Sequence, residues 1–268
     1  MKKSLIAAVA LSLFSTLVLA DRIDDIKKAG VLRAAVFDSN PPFGFLDAKT
    51  KKIAGLDVEY AEAIAKKLGV KLELVPTNPA NRIPLLVSGK ADIVAANFTI
   101  TEERAKQIDF SQPYFATGAR FIAPKGKLKS AEQLEGLRVG VDRGTTQEIL
   151  LRDKYPKTTV VAYDDTPLAF AALRNGNVQA ISQDDAKLIA LLAQAPDKEK
   201  YEVSSFALSR EYEGVGIPKG EAKLVAVVNE TLVHLEKSGE AKNIYDRWFG
   251  PKTKAPLTRD FKIGDKTQ

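Results

Sequence analysis

Short apolar runs alternate along this chain with stretches whose apolar positions recur every three or four residues, the rhythm of strands followed by helices. Residues 21–29 read as a helix closed by Gly30, and 31–36 as a strand. Residues 60–68 form a helix with Ile64 and Leu68 on one face, closed by Gly69, and 71–76 alternate as a strand. Asn81-Arg82-Ile83-Pro84 opens a helix to Gly89, where a first-turn proline is tolerated, and 92–96 is a buried strand.

The pattern then restarts. Residues 118–124 are an apolar strand, Ser130-Ala131-Glu132-Gln133 has the spacing of a capping box, and 137–141 is a strand. Gly144-Thr145-Thr146 opens a helix to Tyr155, and 159–163 is a strand. Thr166-Pro167 starts a helix ending at Asn175-Gly176; a strand at 178–182 leads to a helix from Asp184 to Ala195. The tail departs from this alternation, with short strands at 201–205 and 214–217, a long amphipathic helix at 221–238, and a helix at 240–249 carrying the only Trp. Residues 250–268, with Pro251 and Pro256, are expected to run as an extended strap over the surface.

Strand–helix–strand succession implies parallel sheets with right-handed crossovers, so two such blocks predict an α/β protein of two doubly wound lobes. Packing of the final helices on the first block makes the chain cross between lobes twice, near 116–121 and 203–213. Lobe 1 is then 21–117 plus 210–268, and lobe 2 is 118–209. Two adjacent crossings form a hinge, and ligands sit in the cleft between hinged lobes.

Composition narrows the chemistry. Residues 1–20, with Lys2 and Lys3, an apolar stretch over 5–19 and a small-residue end at Ala20, are expected to be a signal peptide, placing the remaining chain in the periplasm as a soluble protein. The chain has no cysteine and one histidine, His234, expected to be structural; Cys-ligated metals and a Ser-His-Asp triad are excluded, and no metal site or cofactor is expected. Without Lys2 and Lys3 the formal net charge falls from +6 to +4, with lysines scattered among acids, so nucleic acid is not an expected partner.

The stretch Ala95-Ala96-Asn97-Phe98-Thr99-Ile100-Thr101-Glu102-Glu103-Arg104 carries the candidate site. A strand end, short polar side chains and a guanidinium one turn on form a receptor for a small carboxylate. Arg104 alone could be a surface ion pair, and Thr145 a helix cap, although free N–H groups at a helix start also receive anions. Of Asp184 and Asp185, one can cap while the other faces the cleft. Arg82 sits at the positive end of a helix dipole, where some other gain must hold it.

Gly55-Leu56-Asp57-Val58-Glu59-Tyr60, the 97–104 stretch with Asp109-Phe110-Ser111 and Pro113-Tyr114, Gly144-Thr145-Thr146-Gln147 and Gln183-Asp184 together resemble the bacterial extracellular solute-binding proteins for polar amino acids. The likeness spans about 21–249. It implies the type II periplasmic binding fold, a free amino acid as ligand, the membrane permease of an ATP-driven importer as partner, and a monomer. It also implies roles: Arg104 grips the α-carboxylate, Asn97 and Thr99 contact carboxylate and amine, Thr145 and Thr146 answer from the second lobe, and Asp184 meets the ammonium.

The side-chain pocket is expected from Phe37, Asp38, Asn40, Phe43, Asn81, Arg82, Phe98 and Thr166. Residues 81–86 resemble the aspartate/glutamate-binding members, in which the arginine meets a distal carboxylate. Those members can carry a further arginine where Phe37-Asp38 stands, and a histidine near Thr166; uncharged polar amino acids, cysteine and cystine therefore stay open. The alternative is an enzyme resembling cyclohexadienyl dehydratases, with Asp38 as its acid or base. A sensor input domain is disfavoured because no membrane or signalling segment follows Phe249.

Overall fold

The computed structural model describes residues 22–265, so the expected signal peptide lies outside the described residues. Two five-stranded sheets form the two lobes. In the first, the order is Lys71–Thr77, Val31–Phe37, Ile93–Val94, Gly216–Pro218, Ile108–Phe110. In the second it is Thr159–Tyr163, Arg138–Asp142, Ala180–Asp184, Ala119–Pro124, Tyr201–Val203. Each sheet begins with three parallel strands, then takes one reversed strand paired antiparallel on both sides. Ala119–Pro124 and Gly216–Pro218 are those reversed strands, and each follows a crossing between lobes.

The crossings are themselves short strands, Phe115–Thr117 and Glu211–Glu213, paired antiparallel with Tyr212 opposite Ala116. A two-stranded ribbon therefore joins the lobes. The polar run Arg210-Glu211-Tyr212-Glu213 was expected only as part of a connection. It is a strand because its period-2 alternation puts both glutamates on one face.

Local differences have local causes. The helix expected from Tyr60 runs Leu56–Leu68, starting at Gly55, whose φ is 146°. A Cβ there would lie 2.1 Å from the Phe43 carbonyl oxygen, so only glycine lets this helix start against the first loop. Ser130 makes no capping bond, and the expected capping box is the short 3₁₀ turn Ala131–Leu134. The strand expected over 92–96 is a ladder only at Ile93–Val94, ahead of Asn97, whose φ of 45° turns the chain away.

Helices Leu56–Leu68, Ala222–Ser238 and Glu240–Phe249 cover one face of the first sheet, burying Leu32, Ile64, Val228, Leu232 and Phe249 together. Each such side chain contributes about 1.5–3 kcal/mol on burial, which returns the tail helices to the first lobe. The terminal strap is more than a surface run: Phe261 is buried with its ring 5.0 Å from Phe115 and 5.8 Å from Tyr245. Phe43, expected at the ligand, instead belongs to this cluster, 5.0 Å from Phe115 and 5.5 Å from Phe249. His234 lies exposed on its helix.

Candidate functional site

The parallel strands of both sheets end facing each other, and a narrow cavity lies between them. Phe37, Arg82, Asn97, Thr99 and Arg104 line it from the first lobe; Thr145, Thr146, Gln147, Gln183, Asp184 and Lys187 line it from the second. Larger hollows exist on the outer surface, one beside Pro124, Leu137 and Leu173, but it is walled largely by apolar side chains. Buried charge distinguishes the inter-lobe cavity, since Arg82, Arg104, Asp184 and Lys187 all line it and are all buried.

Arg104 closes the short helix Glu102–Ala105, which Thr101 caps by accepting from the Arg104 N–H at 3.2 Å. Its guanidinium donates to the Thr99 carbonyl at 2.7 Å and, across the cleft, to the Gly144 carbonyl at 3.0 Å. Two of five donors are so used, and the rest of the fork remains for a ligand. The residue is 7% exposed. Burial brings its value down to about 10, so it stays charged at neutral pH.

Arg82 lines the cavity too, and most of its donors are engaged by the main chain. Its guanidinium donates to the carbonyls of Pro79 at 3.0 Å, Ala96 at 3.3 Å, Asn97 at 2.7 Å and Gly144 at 3.3 Å. It lies 4.3 Å over the Phe98 ring, with Arg104 4.9 Å from the same ring. The gain that holds a cation at this helix start is therefore main-chain carbonyls and an aromatic face. Burial, with Arg104 alongside, lowers it to about 9. Gly144 receives both guanidiniums; its φ is 79°, and a Cβ there would come within 3.0 Å of Ala80 Cα.

Asn97 is held at φ 45° by three bonds. Its N–H donates to Asp57 at 2.8 Å, its carbonyl accepts from Arg82 at 2.7 Å, and its side-chain amide donates to Glu213. Tyr114 donates to the other Asp57 oxygen at 2.7 Å. Asp57 is thus a positioning residue beneath the site. Complete burial pushes its carboxyl up to about 7, against the lowering effect of the Tyr114 and Asn97 bonds.

A group raised in this way is protonated in both states at low pH, and the stability it contributes is lost as pH rises through its folded value. Asp57→Asn removes the charge, keeps the bond from Asn97 on the amide oxygen, and reverses the tyrosine bond, the amide nitrogen donating to the tyrosine oxygen. Relative to the parent, this variant should gain about 1–3 kcal/mol of stability between roughly pH 4 and pH 8. Urea unfolding across that range checks it; parallel stability curves would contradict it.

The hinge ribbon supplies carboxylates that sequence reasoning missed. Glu211 accepts from Thr99 at 2.8 Å on one lobe and Thr146 at 2.7 Å on the other, and its second oxygen accepts from Ser209 at 2.8 Å. Each threonine donates its proton inward to Glu211 and keeps its own lone pairs. Glu213 is fully buried, and its carboxyl is raised by that burial and by Asp184. The alternation of Glu211-Tyr212-Glu213 was the available signal.

Thr145 is the N-cap of helix Thr146–Lys154, accepting from Glu148 N–H at 3.3 Å and donating to the Asp142 carbonyl at 2.6 Å, while still lining the cavity. Asp184 does not cap: its carboxylate accepts from Gln147 at 2.9 Å and faces the cavity. Asp185 reaches Ala186 N–H and the Thr117 hydroxyl, each at 2.8 Å. Burial, then Glu211, pushes Asp184 up to about 7, a value that an ammonium beside it would bring down.

The remaining expected pocket residues separate. Phe37 lines the cavity and Phe98 lies under the guanidiniums. Asn40 and Thr166 are buried and line a small adjoining cavity with Lys187. Asp38 and Asn81 are exposed and line neither of these two cavities, because the strand alternation that turns Phe37 inward turns Asp38 out. Lys187 and Gln183 were not expected as lining residues, although the one-turn spacing of Asp184 and Lys187 on a helix start places both at the cleft.

Among the described residues no cluster of metal-ligating side chains occurs, and no helix is long and apolar enough to cross a membrane. The sequence profile of the bacterial extracellular solute-binding proteins, family 3, matches residues 32–251. The L-cystine-binding protein TcyJ of Escherichia coli (strain K12) is 34% identical over 231 residues, 85% of this chain and 86% of that protein. The glutamate/aspartate import solute-binding protein of Escherichia coli (strain K12) is 30% identical, the match covering 99% of this chain and 95% of that one. The solved solute receptor for L-cysteine of Neisseria gonorrhoeae superposes with a TM-score of 0.80 at 35% identity, covering 85% of this chain and 94% of its own.

Proposed function

This chain belongs to the bacterial extracellular solute-binding proteins, family 3, and we propose that it is the periplasmic receptor of an ATP-driven importer, closing two lobes over a polar L-amino acid. One observation carries the reading. Arg104 from the first lobe and Asp184 from the second line the same cavity, a guanidinium and a carboxylate arranged for a zwitterion. The free part of the Arg104 fork takes the α-carboxylate. Asp184, with the lone pairs of Thr99 and Thr146, takes the ammonium.

Both lobes contribute, so binding favours the closed arrangement, and the closed form is what the membrane permease receives from a monomeric receptor. The ligands named for the relatives, cystine, cysteine and glutamate/aspartate, all carry this zwitterionic head. The dehydratase-like alternative relied on Asp38, which is exposed outside the cavity.

Thermal unfolding against the twenty amino acids and cystine tests the reading. A ligand at one hundred times its Kd stabilises the folded state by about 2.7 kcal/mol, so one ligand or a small chemically related set should raise the midpoint. Calorimetry on those hits gives the affinity, a micromolar value corresponding to about −8.2 kcal/mol. Failure of every amino acid to shift the midpoint would overturn the assignment.

A further inference from the structure

We propose that Lys187 is the subsite for a second carboxylate on the ligand, so that the receptor is built for amino acids carrying a distal carboxylate. The inference rests on the amino acid receptor reading above and concerns the far end of the same cleft. Lys187 is 3% exposed yet lines both the central cavity and the adjoining one formed with Asn40, Pro41, Thr166 and Leu191. A buried ammonium is costly unless it is paired and hydrogen-bonded.

Its partner is incomplete. Asp142 Oδ2 lies 3.4 Å from the Lys187 ammonium, but that oxygen already accepts from Thr166 and Gln183 at 2.6 Å each. Among the described residues Lys187 donates to no other acceptor, and its ammonium stands 5.4 Å from the Phe37 ring. An ammonium with three donors and one long bond retains capacity for an anion in the cavity.

Two further buried groups flank it with unused capacity. Asp142 is 1% exposed and its Oδ1 has no partner. Asn40 is 2% exposed, touches Thr166 at 3.1 Å, and leaves one end of its amide unpaired. A buried polar atom left without a partner costs about 1–3 kcal/mol, so these atoms mark a place that a polar group completes. Arg82, to which the family resemblance gives this role, spends its guanidinium on four main-chain carbonyls.

A distal carboxylate comes from two sources. In an acidic amino acid it stands alone. In cystine it stands beside a second ammonium, and the unpaired Asp142 oxygen next to Lys187 is placed to receive that ammonium.

Calorimetry with L-glutamate, L-cystine, L-glutamine and L-arginine on the parent and on Lys187→Met tests the proposal. Lys187→Met/Asp142→Asn is the folding control, since it removes both charges of the pair. The parent should bind glutamate or cystine at least tenfold more tightly than glutamine or arginine. In the single variant, or in the double variant if the single one does not fold, that preference should shrink at least tenfold.

Cystine ahead of glutamate identifies the two-headed ligand, and the reverse order the acidic one. Tightest binding of glutamine or arginine would overturn the proposal while leaving the receptor reading intact. An equal loss for glutamate, cystine and glutamine in the variants would also overturn it. Absence of binding by all amino acids would instead refute the receptor itself.

Discussion

Arg104→Ala should lower amino acid affinity at least about a hundredfold while the protein remains folded. Charge-assisted hydrogen bonds contribute about 1.5–3 kcal/mol each, and a bidentate carboxylate clamp makes two of them. A loss of about 3–6 kcal/mol exceeds the ~2.7 kcal/mol that a hundredfold change in Kd requires. The cavity is shielded from water, so this is not the weak regime of exposed ion pairs, where about 0–1 kcal/mol is at stake.

The structural cost is smaller. The variant gives up one bond within its lobe, to the Thr99 carbonyl, and one across the cleft, to Gly144. Arg104→Lys should recover little, because an ammonium cannot reproduce the planar fork. Calorimetry measures the affinity, and unfolding without ligand measures the fold. An affinity within threefold of the parent would remove Arg104 from the site and the zwitterion reading with it.

The fold was legible where a rule of periodicity acts locally. The strand at Thr159–Tyr163 and the helix at Glu240–Phe249 coincide with expectation because apolar spacing and flanking turn residues agree there. The ribbon strand Glu211–Glu213 was not legible as a strand, because its alternation was polar and its partner, Phe115–Thr117, lies far away in sequence. Burial of glutamate is a tertiary fact: Thr99, Thr146 and Asn97 converge on these carboxylates only after both lobes have formed.

The same distinction divides the site. The sequence stretch at 97–104 placed Asn97, Thr99 and Arg104 on one strand end, and the structure brings them together with Thr145, Thr146 and Asp184. Side-chain direction in the first loop was harder. Phe37, Asp38 and Asn40 are neighbours in sequence, yet the first faces the cavity, the second faces solvent and the third lines the adjoining space. Lys187 escaped notice because a lysine in a helix reads as a solvated charge until a second lobe is packed over it.

Arg82→Met should destabilise the first lobe by about 3–5 kcal/mol in the absence of any ligand, a magnitude set by stranding buried polar groups. Three carbonyls of that lobe, those of Pro79, Ala96 and Asn97, accept from this one guanidinium, and the residue is 3% exposed. Methionine fills much of the volume over Phe98 but donates nothing, so the carbonyls lose their partner without regaining water. The effect concentrates where Asn97 sits at φ 45°, since its carbonyl bond to Arg82 and its N–H bond to Asp57 hold that turn from both sides. A purely ligand-gripping arginine would behave in the opposite way: its removal would relieve the repulsion from Arg104 and leave unliganded stability unchanged or higher. Urea unfolding of ligand-free protein separates the two, and a midpoint equal to or above the parent's would return the distal-carboxylate role to Arg82 and take it from Lys187.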